Sequence, residues 1–233
     1  MNRIIQQDYE KLLSYFSNYS LKDIIQDITF QDNAKSIHRK LYAYLVFTSE
    51  AESSHLFSSD ILSYYAEVGS DLILSLFCWA NGAYKSSEFQ LRSAIENFMK
   101  AILFPEWNDI IFCKNVSEIM SFAVSSSIFK GNLCKSHLDK IRNTYSNLCA
   151  FVHSSPEKLF SQSALIQLPK YNRTNADEFT KHYQTVVNSL LSVIYYNYYT
   201  FIFSIHPTNR ELFLQGLTHT DKTKIYKEKT KDS

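Results

Sequence analysis

The chain has 233 residues, a formal net charge of +1, 45% hydrophobic residues and 20% charged residues. That length suits one domain with a core large enough to need no disulfide or metal staple. A net charge so close to zero excludes a protein that holds polyanions by bulk charge, though it is compatible with a local basic patch.

Four glycines and four prolines are too few for the many turns of a multi-stranded fold, so long helices with short connections are expected. Apolar residues recur at helical spacing along almost the whole chain. Ile4, Ile5, Tyr9, Leu12, Leu13 and Phe16 mark a first helix, and Leu21, Ile24, Ile25 and Ile28 a short second one. Ile37, Leu41, Tyr44, Leu45 and Thr48 mark a third. The segment DILSYYAEVGSDLILSLFCWA (60–80) predicts a long, heavily buried helix broken by Asn81-Gly82. A helix over 84–104 follows and stops at Pro105.

Shorter helical pieces are expected at 109–112 and 116–129, then a turn at Gly131-Asn132 and a helix over 133–152. SPEKLFSQSALIQLPKYNRTN (155–175) has the least regular pattern and reads as a short helix with a surface loop at 170–175. Thr174, Asn175 and Asp177 are N-cap candidates for the next helix, which is expected to run to Pro207. Within it, VVNSLLSVIYYNYYTFIFSI (186–205) is uncharged and long enough to span a bilayer. Its central asparagines, serines and tyrosines argue instead for a buried core helix, so membrane association is not expected. A last helix is expected at 209–217, followed by a charged, disordered tail, HTDKTKIYKEKTKDS (219–233). The expectation is one all-α domain over 1–218.

Cys78, Cys113, Cys134 and Cys149 have no C-x-x-C or zinc-type spacing, so free thiols of a reducing cytoplasm are expected. The first thirteen residues lack the apolar run of a secretory signal, which agrees with a cytoplasmic setting. With so few glycines there is no phosphate-binding glycine loop, and no metal-ligand motif is visible, so neither cofactor nor metal is expected.

Two segments stand out. In FQLRSAIENFMKAIL (89–103), Leu91, Ala94, Ile95, Phe98, Met99, Ile102 and Leu103 form a wide apolar stripe. Arg92 and Glu96 border it one turn apart, as do Glu96 and Lys100. Two exposed ion pairs of this kind contribute well under ~1 kcal/mol each. In RNTYSNLCAFVHSS (142–155), Arg142, Ser146, Cys149 and His153 fall on one helical face. Ile141, Leu148, Phe151 and Val152 lie on another, and Tyr145 lies at the boundary. Arg142 and His153 are ~16 Å apart along the axis, so a charged partner for His153 must come from another helix. Arg92 and Glu96 are the best candidates. The plain alternative is that His153 only neutralises the helix dipole at a C-terminus. His38 and His55 read as near basic or polar surface, His206 as a helix end, and His137, His182 and His219 as exposed.

Together, Leu91-Arg92, Glu96 and Lys100, followed by Tyr145, Leu148, Val152 and His153, resemble the HEPN-like helical proteins of bacteria. More narrowly they resemble a branch met in mobile and defence loci. The resemblance covers about 60–205 and implies an up-and-down helical bundle. It further implies a toxin or effector of a toxin–antitoxin or anti-phage system that acts as a metal-independent endoribonuclease. Such proteins usually work as homodimers, and an antitoxin-like or other regulatory partner is implied too. On this reading His153 is the catalytic residue, with Arg92 and Glu96 as its partners, and Tyr145 and Arg142 bind substrate. The family's arginine is followed by four to six residues and then a histidine, whereas ten residues separate Arg142 from His153. That departure keeps a second expectation open, a non-catalytic helical interaction subunit of a defence complex.

The chemistry asks for no metal. RNA carries its own nucleophile in the 2′-hydroxyl. An imidazole can move that proton near neutral pH, and an arginine can stabilise the charge that builds on the phosphate.

Overall fold

The computed structural model describes residues 2–17, 24–152 and 170–230, and among these every regular element is helical. The helices are α1 (Arg3–Ser17), α2 (Ile28–Ser53), α3 (Ser59–Ala80), α4 (Tyr84–Leu103) and α5 (Val116–Ser125). After them come α6 (Asn132–Val152), α7 (Arg173–Asn197), α8 (Tyr199–Ser204), α9 (Pro207–Gln215) and α10 (His219–Lys229). Three short 3₁₀ turns, at Ile24–Gln26, Asn108–Phe112 and Ser127–Phe129, join them.

Of the expected short second helix, Leu21 lies outside the described residues and Ile28 belongs to α2, while Ile24–Gln26 is a single 3₁₀ turn. Asp27 follows that turn and caps α2 by accepting a hydrogen bond from the Phe30 amide at 2.7 Å. That cap starts α2 nine residues before Ile37 and makes it 26 residues long.

Five helices close a ring in the order α2, α3, α4, α6, α7, with α7 returning to α2. The stripe read on α4 lies inside it: Leu91, Ala94, Ile95, Phe98, Met99 and Ile102 are fully buried. Phe30 stacks on Trp79 with centroids 4.9 Å apart, and the Trp79 indole N–H donates to the Ala176 carbonyl at 3.2 Å. Phe47 collects the rings of Phe57, Tyr65, Tyr198, Phe201 and Phe213 around it. The α3–α4 turn also fixes the entry to α7. Gly82 has φ +75°, and a Cβ there would lie 2.2 Å from the Lys170 carbonyl, so only glycine fits. Next to it the Tyr84 hydroxyl accepts from the Asn172 amide at 2.7 Å and lies 3.0 Å from its carbonyl.

Several expectations change. α7 begins at Arg173 with Asn172 as its cap, not at Thr174, Asn175 or Asp177. The uncharged segment 186–205 is not one helix: α7 ends at Asn197, Tyr198 breaks it, and α8 follows. Ten consecutive residues of the segment, 186–195, are buried in the bundle, which is the core role expected for it. Among the described residues the helix that does have the length and hydropathy to cross a membrane is α3, and it packs on α4 and α2. The tail expected to be disordered is helical over α10, with Asp221 and Ile225 buried. His137 is buried instead of exposed, and His38 is buried beside Asp8 at 2.7 Å. His182 is half-buried, 3.1 Å from Glu88. All four cysteines are free thiols, and burial pushes Cys134 up to about 12.

Candidate functional site

Arg92, Glu96 and Tyr145 come together. The Arg92 Nε–H donates to Glu96 Oε1 at 2.9 Å and to the Tyr145 hydroxyl at 3.2 Å. That hydroxyl donates in turn to the same Glu96 oxygen at 2.7 Å. The three groups close a small ring of hydrogen bonds in which each is fixed by the other two. The pair on α4 is therefore more than a solvated surface bridge: its side chains are 21% and 28% exposed, and a third residue from α6 locks it. The expected Glu96–Lys100 pair does not form, because Lys100 donates to the Ile111 carbonyl and stands 5.6 Å from the Tyr64 ring centroid.

The electrostatics follow from this ring. Burial raises the Tyr145 phenol well above its usual range, and the Glu96 carboxylate adds to that, so Tyr145 stays a neutral donor. Burial works against the Arg92 charge, but Tyr145 and Glu96 outweigh it and its pKa is raised. All the bonds named for Arg92 use Nε. Its two terminal nitrogens have no partner among the described residues, and they form the edge of a guanidinium that grips an anion with two parallel bonds.

That guanidinium lines an open groove of about 550 Å³ between α4, α5 and α6. Arg142, Tyr145, Ser146 and Cys149 line it from α6. So the wheel prediction holds as far as Cys149: α6 buries Leu138, Ile141, Thr144 and Leu148, and its Arg142 face opens on the groove. His153 lies four residues past Cys149, outside the described residues.

Sequence reasoning missed the third wall. Lys114 and the first turn of α5, from Asn115 to Ser117, complete the groove. Asn115 caps α5 by accepting from the Ser117 amide at 3.1 Å, and Glu118 follows three positions later. N-x-x-E is a legible helix start. Nothing in it says that the start would lie against α6. Three cations thus surround one groove, and a phosphate suits such a lining. No group of three or more metal-ligating side chains occurs among the described residues.

Comparisons with protein-family models, with curated proteins and with solved structures found no match to this chain.

Proposed function

We propose that the α4–α5–α6 groove holds the phosphodiester backbone of RNA, and that the protein is a HEPN-like effector of bacterial defence. One observation carries the reading. Arg92 is fixed through Nε by Glu96 and Tyr145, so its terminal nitrogens are presented to a groove that Arg142 and Lys114 also line. An arginine held from behind loses little freedom when it grips a phosphate.

In the catalytic form of this reading, His153 takes the proton of the ribose 2′-hydroxyl. The oxygen attacks the adjacent phosphorus, the bond to the 5′-oxygen of the next nucleotide breaks, and that oxygen takes a proton from water. The products are a 2′,3′-cyclic phosphate and a 5′-hydroxyl end, and no metal or redox partner enters the balance. Arg92 neutralises the charge on the phosphoryl oxygens, Arg142 and Lys114 hold the flanking backbone, and Tyr145 keeps Arg92 in place. A homodimer would set two such grooves side by side.

The test is RNA integrity after induced expression in bacteria, for wild type, His153→Ala and Arg92→Ala, with helicity of the purified proteins checked by circular dichroism. Discrete fragments in wild type alone are expected. Growth arrest with intact RNA in all three would overturn the ribonuclease reading. The second reading, a non-catalytic subunit, is favoured by the ten-residue spacing between Arg142 and His153. It predicts that the purified protein binds single-stranded RNA without cutting it and that His153→Ala leaves the affinity unchanged.

A further inference from the structure

A second basic cleft lies between the first half of α2 and the α9–α10 turn. It encloses about 610 Å³. Lys35, Ser36 and Arg39 line it from α2; Thr218, His219 and Lys222 line it from the start of α10. Lys35 and Arg39 are one turn apart on the exposed face of α2. Neither they nor Lys222 take part in an ion pair among the described residues. Asp32 is the one acid in the lining.

A fourth cation lies beside them. Lys40 is 6% exposed and donates to the Gly216 carbonyl at 3.0 Å and to Asn188 Oδ1 at 3.2 Å. Its pKa is lowered to about 8, first by burial and then by the Arg39 charge. Asp221, which opposes that shift, is already held by Asn188 at 2.7 Å, by Thr218 at 2.7 Å and by His137 at 3.5 Å. The chain therefore crowds four cations against two acids at one place while its net charge is only +1. Like charges gathered without counter-charges are unfavourable in the empty protein, and an anion relieves them.

We propose that this cleft binds a short polyphosphate chain, which bridges Lys35 and Arg39 on α2 to Lys222 on α10. The Lys35–Arg39 spacing is ~6 Å along the helix, within reach of one phosphate group, and a chain of phosphates carries the charge on to Lys222 on the other wall. Among the described residues no Phe, Tyr or Trp lines the cleft and its one ring is the His219 imidazole, so the phosphates and not a base carry the recognition. A free polyphosphate and the phosphate tail of a nucleoside triphosphate bind alike. The bound anion ties α10 to α2, a helix it otherwise reaches through the Lys40–Asn188–Asp221 bonds.

The test is thermal unfolding of the full chain with sodium tripolyphosphate at constant ionic strength, with sulfate as the control. At about ten times Kd the expected rise in Tm is about 3–6 °C. Arg39→Ala and Lys222→Ala each weaken binding about tenfold or more, and Arg142→Ala, in the other groove, leaves it unchanged. Slower hydrogen exchange over α10 accompanies the shift. ATP gives the same response as tripolyphosphate. The proposal is overturned by no shift in wild type, by a shift that survives both substitutions, by one lost in Arg142→Ala, or by one larger with ATP.

Discussion

Tyr145 has two jobs that one substitution separates. Its ring lies 5.5 Å from the Arg92 guanidinium carbon, and its hydroxyl ties Arg92 to Glu96. Tyr145→Phe keeps the ring and removes the hydroxyl. We expect a stability loss of about 1 kcal/mol, the size of one net hydrogen bond in a half-buried setting. We expect a larger relative loss in the groove, where Arg92 becomes free to turn: RNA affinity should fall several-fold in a fluorescence-anisotropy titration. Equal affinity for wild type and Tyr145→Phe would mean that Arg92 needs no holding.

The buried cluster beside α10 gives two pH signatures of the same sense, one in the acid range and one in the alkaline range. Asp221 is held well below the ordinary carboxylate value of 3.8 by His137, Asn188 and Thr218, against the opposing effect of its burial. A depressed carboxylate contributes stability that is present above its unfolded value and is lost as pH falls through that value toward the folded one. Asp221→Asn should therefore cost about 2 kcal/mol at pH 7, and the difference from wild type should shrink below about pH 4. Lys40 has the same sign in a different window. Its folded value of about 8 lies below its ordinary 10.5, so between these values the unfolded chain binds more protons and this group's contribution to stability rises with pH. Below pH 8 the folded state carries the whole penalty. Urea titrations of Lys40→Met and wild type from pH 7 to 10.5 check this. The difference between them should be flat below pH 8 and should change above it.

At the level of elements, the docking of α10 rests on few groups. Thr218 caps it by accepting from the Asp221 amide at 3.1 Å, and Ile225 is its fully buried apolar anchor. Four lysines in eleven residues hide this helix from a composition reading, which sees a solvated tail. What composition misses is Thr218, Asp221 and Ile225, one cap and two inward positions at helical spacing. Ile225→Asp should undock α10 without unfolding the bundle. Circular dichroism should register the loss of about one helix, and amides of α10 should exchange freely while those of α4 stay protected. Global unfolding would make α10 part of the core.

The long helices were legible because their apolar periodicity is strong. α3 and α4 begin and end, and α6 begins, within a residue or two of where periodicity and the Gly and Pro signals put them. The break at Tyr198 was not. Tyrosine is no helix breaker, and the break occurs where the Tyr198 ring packs against Phe57 and Phe47, long-range contacts with no local trace. The site divides in the same way. Arg92 with Glu96, and Arg142 with Cys149, follow from spacing on one helix. That Tyr145 bonds to both Arg92 and Glu96 depends on how α6 packs on α4, and Lys114 depends on where a short irregular connection delivers α5.

For the whole molecule, a net charge of +1 and an RNA-binding groove are compatible only if the positive charge is local. That makes a quantitative demand on salt dependence. Each backbone phosphate neutralised on a single strand contributes about −0.7 to the slope of log K against log salt. Arg92, Arg142 and Lys114 offer three such contacts, so a slope near −2 is expected, far shallower than for a protein coated in positive charge. Arg142→Ala should bring the slope to about −1.4 and weaken every RNA sequence alike, because a phosphate contact reads no base. Arg39→Ala, in the other cleft, should leave the slope near −2. A slope that flattens with Arg39→Ala and not with Arg142→Ala would move the RNA path from the α4–α5–α6 groove to the face formed by α2 and α10.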